Sequence, residues 1–394
     1  MSNLIVITLD DVSFLNLGFT KCFGDHTPFI NQMAESSYVF YNAHCNIPFC
    51  QPSRMVLLTG LYPQNNGSTE FNKMKSNTPT LASLLKAKGY KTNIIGKLEH
   101  HLPFECFDWD EKDSGMGLGF NPSYETDKNA LVNFFERASA SSPHFSLVNI
   151  SVTHRPFEEA STSYNGYVPN FLPKSVVIKQ QISDFLSSLR RADAIVGEIL
   201  KRTTSDDWVV LTSDHGFSFP FVKGNCYGFS TNVPMLIKHK SIKKTIDKNN
   251  VVSHVDFLPT IAEAFDLPGR YDGFSYLDCL KTGSVSDQHQ LVYSQLNRMQ
   301  SGPFFRIRAI SSKTHTYCLN FDPYYPANFV DGWHFDRALM EVGNISTRPF
   351  QEFIRYSGMD YWNASDREIR VKLGKELLRR MKVYKDRMLP ISML

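Results

Sequence analysis

The sequence predicts an α/β fold in which helices flank a central, mostly parallel sheet and a small C-terminal subdomain carries an antiparallel sheet. Three observations predict it. Two continuous apolar runs, Leu4-Ile5-Val6-Ile7-Thr8-Leu9 and Trp208-Val209-Val210-Leu211-Thr212, have the length and β-branching of strands buried on both faces. A long helical pattern leads into the second run, giving the strand–helix alternation of layered α/β proteins. After about residue 270 the texture changes to short alternating stretches.

The elements follow in order. Residues 4–9 form the first strand and end in Asp10-Asp11. Pro28 opens a helix, as proline does in a first turn. Residues 80–88 are helical and stop at Gly89, Lys91 to Ile95 is the next strand, and a helix near 127–138 precedes a strand from Phe145 to Val152. Ile178, Ile182, Phe185, Leu186, Leu189, Ala192, Val196, Ile199 and Leu200 recur at helical spacing. That helix feeds the strand at 208–212, which ends in Ser213-Asp214-His215-Gly216. Both acidic clusters thus fall beyond carboxyl ends of strands, where ligands bind in such sheets. Leu291 to Ser294, Phe304 to Ile310 and Thr316 to Phe321 read as the antiparallel sheet, and a last helix runs from an N-cap at Ser365 or Asp366 to about Tyr384. The expected division is 1–270 and 271–394.

Whole-chain properties exclude several classes. A net charge of +3 over 394 residues gives no reason to expect a nucleic-acid or membrane partner. No apolar run approaches the ~20 residues of a membrane span, and no signal-peptide pattern precedes the first strand. A cytoplasmic chain is expected as the sequence stands, or a periplasmic or secreted one if a leader has been removed. The seven cysteines are scattered without a CxxC pair, which argues against a disulfide scaffold or structural zinc.

The chemistry concentrates in Cys50-Gln51-Pro52-Ser53-Arg54-Met55-Val56-Leu57-Leu58-Thr59-Gly60. This string resembles the signature C-x-P-S-R-x-x-x-L-T-G of the formylglycine-dependent sulfatase family, within the alkaline-phosphatase superfamily. Further segments resemble the same family: Thr231 to Ile237, Val255 to Ile261, and Asp272-Gly273-x-Ser275. The Gly96-Lys97-Leu98-Glu99-His100 spacing is similar to the iduronate-2-sulfatase branch, and the loop around Lys223 to the heparan N-sulfatase branch.

The resemblance implies an alkaline-phosphatase-like sheet and a nucleophile made by oxidising Cys50 to formylglycine, the work of a separate maturation enzyme. The aldehyde hydrates to a diol, of which one hydroxyl attacks sulfur and the other later expels sulfate. It implies one divalent metal held by Asp10, Asp11, Asp214, His215 and the matured Cys50. Such an oxygen-rich set favours Ca2+ or Mg2+, and the histidine adds affinity for Mn2+. Arg54, Lys97 and Lys223 are expected to hold the nucleophile and the sulfate. His154, in Thr153-His154-Arg155-Pro156-Phe157, is expected to protonate the leaving oxygen, and His100, preferred over His101, to help the diol eliminate sulfate. Phe104, Phe107, Trp109 and Tyr124 could stack on a sugar but are assigned to packing.

The expected function is hydrolysis of a small sulfated substrate, a saccharide by family analogy. Two other readings stand beside it: a phosphonate monoester hydrolase or phosphodiesterase using the same nucleophile, and a silent binding protein of the same fold. A silent relative is expected to have lost part of the catalytic set, which here is complete. The oligomeric state is not legible.

Overall fold

The structure, a computed structural model, describes residues 2–71, 73–101, 106–113, 124–139, 143–157, 159–170, 172–219, 222–298, 304–321, 352–356 and 367–383. Its main strands are β1 (Leu4–Leu9), β2 (Tyr38–His44), β3 (Lys91–Ile95), β4 (Glu111–Asp113), β5 (His144–Ile150), β6 (Trp208–Ser213), β7 (Met235–Lys238) and β8 (Thr245–Ser253). Between them lie α1 (Pro28–Glu35), α2 (Cys50–Thr59), α3 (Pro63–Asn66), α4 (Leu81–Ala87), α5 (Tyr124–Ser139), α6 (Val176–Leu200) and α7 (Gly228–Thr231), and α8 (Phe257–Phe265) and α9 (Leu277–Thr282) follow.

The eight strands form one sheet in the order β4-β3-β5-β1-β6-β7-β2-β8. Only β7 runs against its neighbours β6 and β2; the remaining pairs are parallel. β1 occupies the middle, and its side chains divide between the two faces as the pleat requires. Ile5, Ile7 and Leu9 enter the core shared with α6, whereas Leu4 and Val6 enter the core shared with α4 and α8. Each such side chain contributes about 1.5–3 kcal/mol by leaving water. This two-sided burial is why the run carries no polar alternation.

The expected alternation of strands and helices is present. The strand expected to reach Val152 ends at Ile150 because its partner β1 ends there, at the Leu9–Ile150 pair. The chain then turns, with the His154 amide donating to the Ser151 carbonyl. α6 is capped by Ser175, whose side chain accepts the Ile178 amide, and buries Ile178, Ile182, Phe185, Leu186, Leu189 and Ala192.

A second, antiparallel sheet comprises β9 (Val292–Arg298), β10 (Phe304–Ser311), β11 (His315–Asn320) and β12 (Glu352–Tyr356), in the order β12-β11-β10-β9. Its apolar side chains Tyr293, Leu296, Ile307 and Ala309 share a core with Ile47, Phe49 and Val56, so it braces α2. Tyr276, Leu277 and Leu280, beyond residue 270, pack into the main-sheet core. The last helix spans Arg367–Val383; its N-cap candidates Ser365 and Asp366 lie outside the described residues. Among the described residues no helix is long and apolar enough to cross a membrane. The seven cysteines are free thiols.

Candidate active site

Two neighbouring strand ends supply the acids. The Asp10 amide donates to Ile150 O and the Asp214 amide to Leu9 O, which places both carboxylates at the carboxyl edge of the β5-β1-β6 core. Asp11 takes φ +59°, and its amide donates to Asp214 Oδ1. Gly216 has to be glycine, because a Cβ there would lie 1.7 Å from Phe229 O. His215 is thereby held against the sheet edge.

α2 delivers the thiol. Cys50 is its first residue, at the positive end of the helix dipole. Pro52 is tolerated because amides of the first turn have no helical partner. All ten residues of the helix are buried. Ser53 fastens it to β6 by donating to Asp214 O at 2.5 Å, and His254 Nδ1 lies 3.1 Å from the same hydroxyl. Arg54 spreads over four partners, Asp10 at 3.3 Å, Asp214 at 3.0 Å, Thr8 at 3.0 Å and Asn149 at 2.6 Å.

The remaining cations converge on the same acids. Lys97 Nζ lies 2.8 Å from Asp10 Oδ2. Lys97 follows Gly96, where a Cβ would sit 2.4 Å from Asn149 O. Lys223 Nζ is 3.0 Å from Asp11 Oδ1 and 3.4 Å from His154 Nε2. His154 Nδ1 lies 2.6 Å from the Arg155 carbonyl, which requires the proton on that nitrogen and turns Nε2 towards Lys223 and Asp11. His215 Nε2 is 3.2 Å from Cys50 Sγ, and its Nδ1 is 3.3 Å from Asp11 Oδ1.

Burial opposes charge throughout the site, and the pairings decide each balance. Burial would raise Asp10, but Lys97 and Arg54 hold it well below the usual carboxylate range. Asp214 is pushed up by burial and by Asp10. Cys50 is pushed up by burial despite Lys223 and His154, so the unmodified residue is a protonated thiol and a poor nucleophile.

Two overlapping sets of potential ligand atoms occur, Asp11 with Cys50 and His215, and Asp10 with Cys50 and Asp214, each set within 4.8 Å. Their union is the five positions expected from the sequence. Three carboxylates and an imidazole suit a divalent cation, and Cys50 Sγ stands where an oxygen of a formylglycine diol would be.

The two histidines left open by the sequence part company here. His101 bonds to Lys97 O and lies edge-on to Phe107 and Trp109 in the core, with burial taking its pKa down to about 3. His100 is buried with Nδ1 unpartnered, and Gln51, next to Cys50, donates to its carbonyl. Burial first, then Lys97 and Arg54, lower its pKa. Of the aromatics, Phe107 and Trp109 are core, while Phe104 and the side chain of Tyr124 lie outside the described residues, as do Pro220 and Phe221 before Lys223.

Sequence reasoning missed Thr8 and Asn149. Both are fully buried, and Asn149 links Arg54 to the Ile95 and Gly96 carbonyls before Lys97. Each is a single polar residue near the end of an apolar strand, a pattern that by itself does not distinguish a site from local bonding.

An α/β sheet with a cysteine-headed helix aimed at paired strand-end carboxylates has the alkaline-phosphatase-like fold. The family profile described as Sulfatase matches residues 2–267, and the chain belongs to that family, whose members hydrolyse sulfuric esters. It is similar to an ulvan-active sulfatase of Formosa agariphila, 24% identical, the match covering 98% of this chain and 80% of the relative. It is also similar to human N-sulphoglucosamine sulphohydrolase, 26% identical over 68% of this chain and 61% of that protein. Among solved structures, a phosphonate monoester hydrolase of Agrobacterium radiobacter shares the fold with a TM-score of 0.75 at 13% identity, covering 98% of this chain and 96% of that one.

Proposed function

We propose that the protein hydrolyses a sulfate ester of a carbohydrate through a formylglycine made from Cys50 by a maturation enzyme, with one divalent cation, calcium by the hardness of the donors, held by Asp10, Asp11, Asp214 and His215. The observation that carries this reading is the position of Cys50 Sγ, common to both candidate ligand sets. The carbohydrate is inferred from relatives named for ulvan and N-sulphoglucosamine.

The residues divide the work. Three carboxylates face three cations in this pocket, so a divalent ion leaves an excess of two positive charges, suited to an anionic ester. A bound cation supplies Lewis-acid stabilisation of sulfuryl oxygens. Arg54 and Lys97 steady the attacking diol oxygen as it passes its proton to the Asp214 carboxylate beside it. As that oxygen bonds to sulfur, the bond from sulfur to the sugar oxygen breaks, and the departing oxygen takes a proton from His154. Lys223, beside His154, holds a sulfate oxygen. The second hydroxyl then passes its proton to His100 while the carbon–oxygen bond to sulfate breaks, restoring the aldehyde and releasing sulfate.

Turnover by matured protein tests the reading, with 4-nitrophenyl sulfate, a sulfated monosaccharide, a phosphonate monoester and a phosphate diester assayed side by side. Sulfate ester hydrolysis that disappears in Cys50→Ala is expected. Preferential cleavage of the phosphonate or diester would transfer the site to that chemistry, and no turnover of any substrate by fully matured protein would leave a binding protein.

A further inference from the structure

A second polar cleft lies outside the catalytic set, between the loop after β1, the loop after β5 and the middle of α6. Its volume is about 540 Å3, within the range of small-molecule sites. Lys21, His26 and Arg190 line it together with Tyr164 and Tyr167, and no acidic side chain does. We propose that this cleft is a binding site for a sulfated sugar unit, separate from the catalytic centre.

Charge is the first support. The side chains of Lys21 and Arg190 are exposed, and among the described residues neither is engaged in a hydrogen bond or ion pair. Two unneutralised cations facing one cleft repel each other and stabilise a bound anion. The adjacent acid, Asp25, accepts a hydrogen bond from the Asn31 amide at 2.7 Å. Burial, followed by the charge of Arg190, lowers the pKa of His26, with the Asp25 charge acting in the opposite direction.

Shape and backbone are the second support. Lys21 is held at φ +61°, a conformation that glycine or asparagine adopts more easily. Tyr164 and Tyr167, half-buried beside the cations, are of the aromatic type on which sugar rings stack. The floor of the cleft, Phe23, meets Tyr167 at 5.4 Å and Phe217 at 5.7 Å, and Phe217 is two residues past His215.

The class of ligand rests on the sulfated-carbohydrate reading, so the test separates the two. Calorimetric titration of a heparin tetrasaccharide at low ionic strength uses protein whose Cys50 is left unconverted, so that nothing is cleaved. The Lys21→Gly, Arg190→Gln double variant is expected to bind about tenfold more weakly, the loss of two exposed charge contacts. Wild-type protein is expected to bind the fully desulfated tetrasaccharide with a similar deficit. Glycine suits the backbone at position 21, so an unchanged thermal midpoint is expected, and Lys21→Arg with Arg190→Lys is expected to restore affinity. Matured double variant should turn over 4-nitrophenyl sulfate at the wild-type rate. Unchanged tetrasaccharide affinity in the double variant, or equal affinity for the desulfated form, would overturn the proposal. Should matured wild type hydrolyse no sulfate ester, the catalytic reading fails while the titration still decides the cleft.

Discussion

The guanidinium of Arg54 reaches the two strand-end carboxylates with one nitrogen and the polar pair Thr8 and Asn149 with another. A lysine ammonium on a flexible stem cannot hold that spread. Arg54→Lys is therefore expected to lower kcat of matured protein about 100-fold or more, the cost of one lost transition-state donor, while circular dichroism stays unchanged. Near-normal kcat would show that the fork is not needed. Asn149→Leu should fail differently, leaving the Arg54 guanidinium short of one acceptor and costing about 1–3 kcal/mol of stability in urea unfolding. The site was legible wherever the sequence kept it contiguous. Cys50 and Arg54 share one string, and Asp10-Asp11 and Asp214-His215 each end an apolar run. Thr8 and Asn149 were not legible, because a lone polar residue in a strand has the same sequence appearance whether it supports a site or bonds locally.

Among the elements, α2 and α1 draw their fixation from distant chain. α2 went unread as a helix because it is buried on every side, so no amphipathic stripe exposes its period. By contrast α6, with one solvent face, was evident from spacing alone. α1 has no side-chain cap of its own, and Asp193 from α6 accepts the Phe29 amide at 3.1 Å and the Ile30 amide at 2.8 Å. Burial raises the Asp193 pKa to about 6 even so. The folded protein thus keeps a proton that the unfolded chain releases between pH 3.8 and about 6. This part of the stability is complete below the lower value and is lost as pH rises through about 6. Asp193→Asn is expected to flatten that stretch of the stability–pH curve, measured by urea unfolding, and Asp193→Ala to cost about 1–2 kcal/mol at neutral pH by uncapping the helix. A variant curve parallel to wild type would refute the assignment.

For the whole molecule, buried neutral histidines set the acid limit. Burial lowers His44 to about 4 and His101 to about 3, whereas the unfolded chain takes up these protons near the ordinary value of 6.5. Unfolded protein binds more protons below that value, so stability is full above it and falls as pH drops from 6.5 towards 4, each group costing about 1.4 kcal/mol per pH unit. His44→Gln should shift the acid midpoint downward, and an unchanged midpoint would contradict the assignment. Saturating calcium should raise the thermal midpoint of the full chain, by the mass-action stabilisation of about 2.7 kcal/mol at one hundred times Kd, and chelation should reverse it. The α/β order was legible because parallel strands buried on both faces read as unbroken apolar runs. β2 and β8 were harder to read, since polar residues such as Asn42, Asn249 and Asn250 interrupt them near a bulge. The central claim is that Cys50 is a precursor rather than the working nucleophile. Its most direct test is the mass of the Cys50 peptide from protein made in a host that carries the maturation enzyme. An aldehyde, or its hydrate, is expected in place of the thiol. A cysteine that stays unmodified in a competent host, in protein that still hydrolyses sulfate esters, would contradict it.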